Sequence, residues 1–140
     1  MATPPPGDEP KSRAAAGKNR SVLIVDDDES LRYLLRRYLV EAGYQVHEAE
    51  DGRQATRMYR QRPADLVVLD LVMPDQEGLE TIRVLRQEFP SVRIIAISGA
   101  FLGEFLPVAT ALGAQAALEK PIEQALFLKT VQDLIGELPA

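Results

Sequence analysis

The fold is decided by VLIVDD at residues 22–27, a run of four aliphatic residues that ends at two aspartates. LVVLD at residues 66–70 and ALEKP at residues 117–121 follow the same pattern, in which an apolar run stops at charged side chains. Short runs rich in Val, Ile and Leu are typical of parallel strands buried on both faces. If these strands are parallel, their charged ends emerge together at one edge of one sheet.

That sheet edge would collect three carboxylates and one ammonium group in a single pocket. The four groups belong to Asp26, Asp27, Asp70 and Lys120. Two like charges about 4 Å apart repel by roughly 4 kcal/mol at the effective dielectric constant of a protein surface. Because a divalent cation relieves such repulsion, the carboxylates predict a metal site.

Composition excludes several classes of site. The 140 residues are enough for one domain with a tail, and they include no cysteine, which rules out disulfides, zinc–thiolate sites and cysteine nucleophiles. The single histidine, His47, lies in the alternating stretch QVHEA, and we expect it to face solvent. The net charge of −5 argues against a nucleic-acid partner, and no apolar run is long enough for a membrane span. We therefore expect a soluble, cytoplasmic protein.

Residues 1–20 differ from the rest of the chain. They contain PPP at residues 4–6 and show no apolar periodicity, so we predict a disordered tail. The tail carries a net charge of +2, which leaves about −7 on the remainder. A solubilising leader is the favoured interpretation, and contact with an acidic partner is the alternative. The folded domain is expected at residues 21–138.

Strand-like and helix-like segments alternate from residue 21 onward. A leucine stripe at helical spacing, capped by Asp28 or Ser30 and ended by Gly43, predicts the first helix. Its inward residues are Leu31, Leu34, Leu35 and Leu39. Further strands are predicted at residues 45–49, 66–69, 93–97 and 116–119, and further helices at residues 51–60, 77–89, 105–112 and 123–137. Five strands alternating with five helices predict an α/β fold with a doubly wound sheet. Such sheets bind ligands beyond the carboxyl ends of their strands, where strand order reverses.

The charged strand ends suit phosphoryl chemistry. Asp26, Asp27 and Asp70 offer the hard oxygen ligands that Mg²⁺ prefers. An aspartate can attack phosphorus to form an acyl phosphate, so Asp70 is a candidate nucleophile. Lys120 could neutralise charge on the phosphoryl oxygens, and the Ser98 hydroxyl could bind one of them.

Each of these residues also has a purely structural interpretation. Asp28 is best explained as a helix cap, and Ser98, which precedes a glycine, could simply end a strand. Lys120 could be solvated, and Asp70 could cap a turn. Their joint placement at the ends of predicted strands one, three, four and five favours a shared function.

As a set, the motifs resemble the receiver domain of two-component response regulators, the CheY-like family. They are VLIVDDDE at residues 22–29, VVLDLVMP at 67–74, Gly78, Ile97-Ser98, Gly113-Ala114 and LEKP at 118–121. The resemblance covers residues 21–138 and implies a flavodoxin-like sheet of order 2-1-3-4-5. It also implies that Asp70 takes a phosphoryl group from a phosphohistidine on a sensor histidine kinase or histidine phosphotransfer protein.

The resemblance also implies a role for each matched residue. Asp27, Asp70 and the backbone carbonyl of Val72 would bind Mg²⁺ or Mn²⁺ directly, and Asp26 would act through bound water. Ser98 would hydrogen-bond the phosphoryl group and Lys120 would form its ion pair, while the Lys120–Pro121 bond would be cis.

Two departures from the family pattern concern signalling. Ala117 stands where receivers usually carry the Tyr or Phe whose ring moves on phosphorylation. We therefore expect output to run through the loop at residues 99–106, where Phe101 and Phe105 would offer apolar surface. Val72 and Ala100 stand where many receivers orient the hydrolytic water with polar side chains, which predicts a long-lived acyl phosphate.

Several alternatives remain open from the sequence. The favoured one is a single-domain regulator, monomeric or weakly dimeric, that signals to an output protein of unknown identity by contact or relay. It would catalyse only its own phosphotransfer and slow autodephosphorylation. Others are a piece of a larger regulator or hybrid kinase, a pseudo-receiver that binds partners without phosphorylation, and a haloacid-dehalogenase-like phosphatase with its nucleophile among residues 26–28.

Overall fold

A computed structural model describes residues 20–71, 77–99 and 105–136, with side chains for all of these except 77, 105 and 106. The strands are β1 (Ser21–Val25), β2 (Gln45–Ala49), β3 (Leu66–Asp70), β4 (Ile94–Ser98) and β5 (Ala116–Glu119). The helices are α1 (Glu29–Glu41), α2 (Gly52–Gln61), α3 (Glu77–Glu88), α4 (Phe105–Leu112) and α5 (Gln124–Ile135). Apart from residue 20, the predicted tail lies outside the described residues.

The five strands form one parallel sheet in the order β2-β1-β3-β4-β5, which confirms the predicted doubly wound fold. The chain moves outward from β1 to β2 and then returns to place β3 on the other side of β1. Strand order therefore reverses at β1 and β3, whose carboxyl ends lie side by side. This is the point where a doubly wound sheet offers a ligand crevice.

Helices cover both faces of the sheet and produce two buried layers. Leu23 and Val25 of β1 pack with α2, α3 and α4, whereas Val22 and Ile24 pack with α1 and α5. Successive strand residues point to opposite faces, so an unbroken apolar run is what a strand buried on both sides requires. Phe127 of α5 is one of the largest fully buried side chains and fills the α1–α5 layer.

The ends of α1 follow from its sequence. The Asp28 carboxylate accepts hydrogen bonds from the backbone N–H groups of Ser30 at 2.9 Å and Leu31 at 3.4 Å. Gly43 has a φ of 100°, a left-handed conformation that costs glycine little. The predicted cap and the predicted terminating glycine are both confirmed.

Two predictions about exposure are wrong. Leu34, assigned to the apolar stripe of α1, is 37% exposed, and Arg32 is buried on the inner face beside Leu35 and Leu39. His47 is half-buried rather than solvent-facing, and its Nε2 atom is buried. Burial, with Arg62 and Arg36 nearby, lowers the pKa of His47.

No helix in the described part of the chain is both long and apolar enough to cross a membrane.

Candidate functional site

The carboxylates predicted from the strand ends meet at the carboxyl edge of the sheet. Asp26 follows β1 directly, and Asp70 is the last residue of β3, the neighbouring strand. Asp26, Asp27 and Asp70 each place a carboxylate oxygen so that all three oxygens lie within 4.8 Å of one another. The structure therefore brings together the residues that the sequence proposed as a metal site.

Asp26 is the most deeply buried of the three carboxylates, with 1% of its surface exposed. Its backbone N–H donates to the Ala49 carbonyl of β2 at 3.1 Å, and its Oδ1 accepts from the Asp28 N–H at 2.7 Å. Oδ2 is buried without a hydrogen-bond partner among the described residues. A buried, unpartnered carboxylate oxygen indicates a site for a further ligand.

Burial raises the pKa of Asp26 from 3.8 to about 7, and the nearby charge of Asp70 acts in the same direction. The hydrogen bond from the Asp28 N–H and the charge of Lys120 act against this rise. Burial and the charge of Asp70 thus make ionisation of Asp26 unfavourable without further positive charge.

Lys120 supplies positive charge from the far side of the site. Its Nζ lies 3.2 Å from Asp70 Oδ2 in an ion pair whose acid is 3% exposed and whose base is 27% exposed. The Lys120 backbone N–H donates to the Ser98 carbonyl at 2.7 Å, which extends the pairing of β4 and β5 to the site. The Lys120–Pro121 bond is cis, as predicted.

Ser98 ends β4 and is fully buried. Asp70 of β3 pairs in register with Ile97 of β4, so Ser98 stands one residue beyond the level of Asp70. Its Oγ lies 3.4 Å from the Gly99 carbonyl oxygen. The ends of β1, β3, β4 and β5 therefore contribute to one edge, as the sequence interpretation required.

The donor set fits a hard divalent cation. Three carboxylates, one of them with a buried open oxygen, match the oxygen ligands that Mg²⁺ and Mn²⁺ take in proteins. Asp26, Asp27 and Asp70 are the residues that would hold such an ion. The predicted contribution from the Val72 carbonyl lies outside the described residues.

The predicted output positions are only partly described. Phe101 and Ala100 lie outside the described residues, and so does the side chain of Phe105. Ala117 lies on β5 opposite Ala96 of β4 and packs, half-buried, against the layer formed with α2, α3 and α4. The position thus carries a methyl group on the core side of the edge strand.

A charged pair beside the site, Arg32 of α1 with Glu48 of β2, was not predicted from the sequence. Arg32 Nε donates to Glu48 Oε1 at 3.0 Å, and Arg32 Nη1 donates to the Asp26 carbonyl at 2.5 Å. The spacing held a signal, because Arg32 stands three and seven residues before Leu35 and Leu39 on the inward face.

The response regulator receiver domain model matches residues 22–132, which is most of the chain. This protein belongs to the response regulator receiver domain family. Two chemotaxis proteins CheY are among its relatives. That of Halobacterium salinarum is 32% identical over 116 residues, covering 83% of this chain and 97% of the relative. That of Thermotoga maritima is 32% identical over 113 residues, covering 80% and 94%.

Solved receiver structures agree with this membership. The Vibrio cholerae chemotaxis protein CheY4 superposes with a TM-score of 0.76 at 30% identity, covering 83% of this chain and 98% of CheY4. The receiver domain of NtrX from Brucella abortus superposes with a TM-score of 0.78 at 25% identity, covering 81% and 97%. The flavodoxin-like architecture is thus shared with solved members of the family.

Proposed function

We propose that this receiver domain accepts a phosphoryl group on Asp70 from a phosphohistidine donor and passes the signal on by protein contact or relay. The observation that carries the proposal is the placement of Asp70, buried at the strand edge, with Lys120 Nζ 3.2 Å away and two further carboxylates beside it. The donor would be a sensor histidine kinase or a histidine phosphotransfer protein, and we place the reaction in the cytoplasm.

In the proposed reaction, an Asp70 carboxylate oxygen attacks the phosphorus atom of the donor. A P–O bond to Asp70 forms while the P–N bond to the donor imidazole breaks, and the electron pair of that bond stays on the imidazole nitrogen. The product is an acyl phosphate. No other residue of the site has to form or break a covalent bond, because phosphoryl transfer depends mainly on positioning and charge stabilisation.

The surrounding residues would supply that stabilisation. Lys120 already forms an ion pair with Asp70, and its ammonium group can pair with the phosphoryl oxygens after transfer. Ser98 has its hydroxyl on the adjacent strand end, where it can donate to one of them. Asp26, Asp27 and Asp70 would hold Mg²⁺, which would supply the positive charge that offsets carboxylate and phosphoryl repulsion.

The proposed product is a modified form of this protein, and the chain acts as a phosphoacceptor rather than as an enzyme for a separate substrate. Residues 21–138 form the proposed receiver unit, either as a single-domain regulator or as a piece of a larger regulator or hybrid kinase.

Labelling by acetyl phosphate in Mg²⁺ tests the proposal, with intact-protein mass spectrometry as the readout. We expect one phosphoryl group on the wild type, none on Asp70→Asn and none after chelation of the metal. Asp28→Asn is the matched control, because asparagine caps a helix about as well as aspartate, and it should be labelled normally. A wild type that stays unlabelled contradicts the proposal and favours a receiver fold that binds partners without phosphorylation.

A further inference from the structure

A buried guanidinium lies behind the carboxylates, and the proposed reaction makes no use of it. The Arg32 side chain is 10% exposed, although arginine is almost never buried without partners. Its Nε donates to Glu48 Oε1 at 3.0 Å, and its Nη1 donates to the Asp26 backbone carbonyl at 2.5 Å. One planar group therefore joins strand β2 to the turn that follows β1.

The hydrogen bonds of Asp26 show what that connection does. The backbone N–H bonds to Ala49, the backbone carbonyl accepts from Arg32, and carboxylate Oδ1 accepts from the Asp28 N–H. Only Oδ2 remains buried and without a partner among the described residues. Three of the four polar atoms of Asp26 are therefore held by hydrogen bonds, and these bonds fix the position of the fourth atom, Oδ2.

The secondary structure brings Arg32 close to both Glu48 and the Asp26 carbonyl. Arg32 is in the first turn and a half of α1, and helical side chains point back toward the helix N-terminus, where Asp26 lies. Glu48 is in register with Ile24 on the neighbouring strand, two residues before Asp26. A guanidinium has several donors in one plane, so it can bond both groups at once, which an ammonium group cannot do in the same geometry.

We propose that Arg32, oriented by Glu48, is a positioning residue that holds the turn at Asp26 and Asp27 so that their carboxylates are prearranged for the divalent cation. The inference rests on the proposed function only in taking the cation as the ligand of these carboxylates. Residues that orient metal ligands without touching the metal commonly affect metal affinity by 10-fold or more.

Electrostatics and positioning predict opposite signs when Arg32 is neutralised. Removal of a positive charge near the site should strengthen Mg²⁺ binding if charge alone matters. Loss of the hydrogen bond to the Asp26 carbonyl should weaken it if Arg32 positions the ligands. The direction of the change therefore separates the two explanations.

Arg36 provides a matched control on the same helix. Its Nη1 lies 3.6 Å from Glu48 Oε2, so it pairs with the same acid, but its side chain is half exposed. Arg36→Met removes one positive charge and one partner of Glu48 while leaving both bonds of Arg32 in place.

The test is isothermal titration of Mg²⁺ into the whole chain, at a temperature where circular dichroism shows every variant to be folded. For Arg32→Met we expect a Kd about 10-fold weaker than that of the wild type. For Arg36→Met we expect a Kd unchanged within twofold or slightly tighter. Arg32→Lys keeps the charge but not the two-way bonding, so we expect binding at least threefold weaker. If Arg32→Met does not fold, Arg32→Lys decides alone.

Amide hydrogen exchange in the metal-free protein gives a second readout. We expect faster exchange at Asp27 and Asp28 in Arg32→Met, but not in Arg36→Met, because only the first change releases the turn. Wild-type affinity in folded Arg32→Met and Arg32→Lys would overturn the inference while leaving phosphorylation of Asp70 intact. A wild type that binds no Mg²⁺ would overturn both the inference and the metal dependence of the proposed function.

Discussion

Asp26 shows at the scale of one residue why a cation would stabilise the site. Burial raises its pKa from 3.8 to about 7, so in the absence of metal Asp26 is about half protonated at pH 7 in the folded protein but ionised in the unfolded chain. A shift of this size corresponds to a free-energy cost of up to about 4 kcal/mol for ionising Asp26 in the folded state. The residue thus contributes to a binding site at the expense of stability.

The raised pKa of Asp26 predicts how metal-free stability depends on pH. Because the folded-state pKa is the higher one, the contribution of this carboxyl is fully present below about pH 4 and is lost as pH rises through 7. We expect the free energy of unfolding of the wild type, relative to Asp26→Asn, to fall by roughly 2 to 3 kcal/mol from pH 5 to pH 8. Urea unfolding of both proteins in the presence of a metal chelator, at pH 5 and at pH 8, measures this fall.

The comparison with Asp26→Asn is needed because His47 acts with the opposite sign. Its pKa is lowered in the folded state, so its ionisation favours unfolding at low pH and its contribution to stability rises with pH. Both proteins contain His47, and the difference between them isolates Asp26. A difference that stays constant or grows from pH 5 to pH 8 would show that Asp26 is not held in a destabilising environment.

At the scale of elements, the first turn of α3 lies directly against the end of β3. A Cβ added to Gly78 would meet the Leu71 Cα at 2.6 Å and the Asp70 carbonyl oxygen at 2.7 Å, both of them backbone atoms. A Cβ added to Gly99, which follows Ser98 at the end of β4, would meet nothing within 4 Å. The close approach of α3 to β3 therefore requires glycine at residue 78, whereas residue 99 has room for a methyl group.

This contact predicts that Gly78→Ala is destabilising whereas Gly99→Ala is tolerated. The backbone must shift to admit the methyl group at residue 78, at a cost of about 1–3 kcal/mol, and the shift affects Asp70, the proposed phosphoacceptor. Thermal unfolding and acetyl phosphate labelling measure the two effects. Equal stability and equal labelling of the two variants would show that the α3–β3 contact is not constrained.

Elements were predictable from the sequence where a local signal determines them. Asp28 was expected to cap α1 and Gly43 to end it, and both roles depend only on neighbouring backbone groups. Helical spacing also indicates the inner face of α5, where Phe127, Val131 and Ile135 are buried at intervals of four residues.

The spacing of Arg32 from Leu35 and Leu39 is consistent with the inner face of α1, but its local sequence does not reveal the partner that allows its burial. An arginine in a helix ordinarily belongs to the solvated face, and its burial here depends on Glu48 arriving beside it through the register of β1 and β2. The same pairing of β1 with β2 leaves His47, the residue before Glu48, half-buried. Such partners are set by tertiary structure, so alternation within β2 was not enough to place them.

At the scale of the whole molecule, strand order decides which ends become neighbours. The alternation of segments predicted a doubly wound sheet, but the order 2-1-3-4-5 came from the family resemblance. With that order, Asp70 lies beside Asp26 and opposite Lys120, although Lys120 is 50 residues away in sequence. The candidate site was therefore predictable as a set of strand ends, whereas its distances required the folded chain.

Cation binding should link the site to the stability of the whole domain. A ligand that binds only the folded state stabilises it by about 2.7 kcal/mol at a free concentration 100 times its Kd. We expect saturating Mg²⁺ to raise Tm by several degrees, and NaCl of equal ionic strength to raise it less. Asp27→Asn, which changes the exposed member of the carboxylate cluster, should lose most of the rise. Equal effects of both salts on the wild type would indicate screening rather than a specific site.

The most direct test of phosphoacceptor function is to locate the modified residue. Borohydride reduces an aspartyl phosphate to homoserine, which stays in the chain and can be found by peptide mapping. After reaction with acetyl phosphate and Mg²⁺, we predict homoserine at position 70 alone, and none when the metal is chelated. Homoserine at position 26 or 27, or phosphate found on a hydroxyl or on His47, would contradict the assignment of Asp70 as the acceptor.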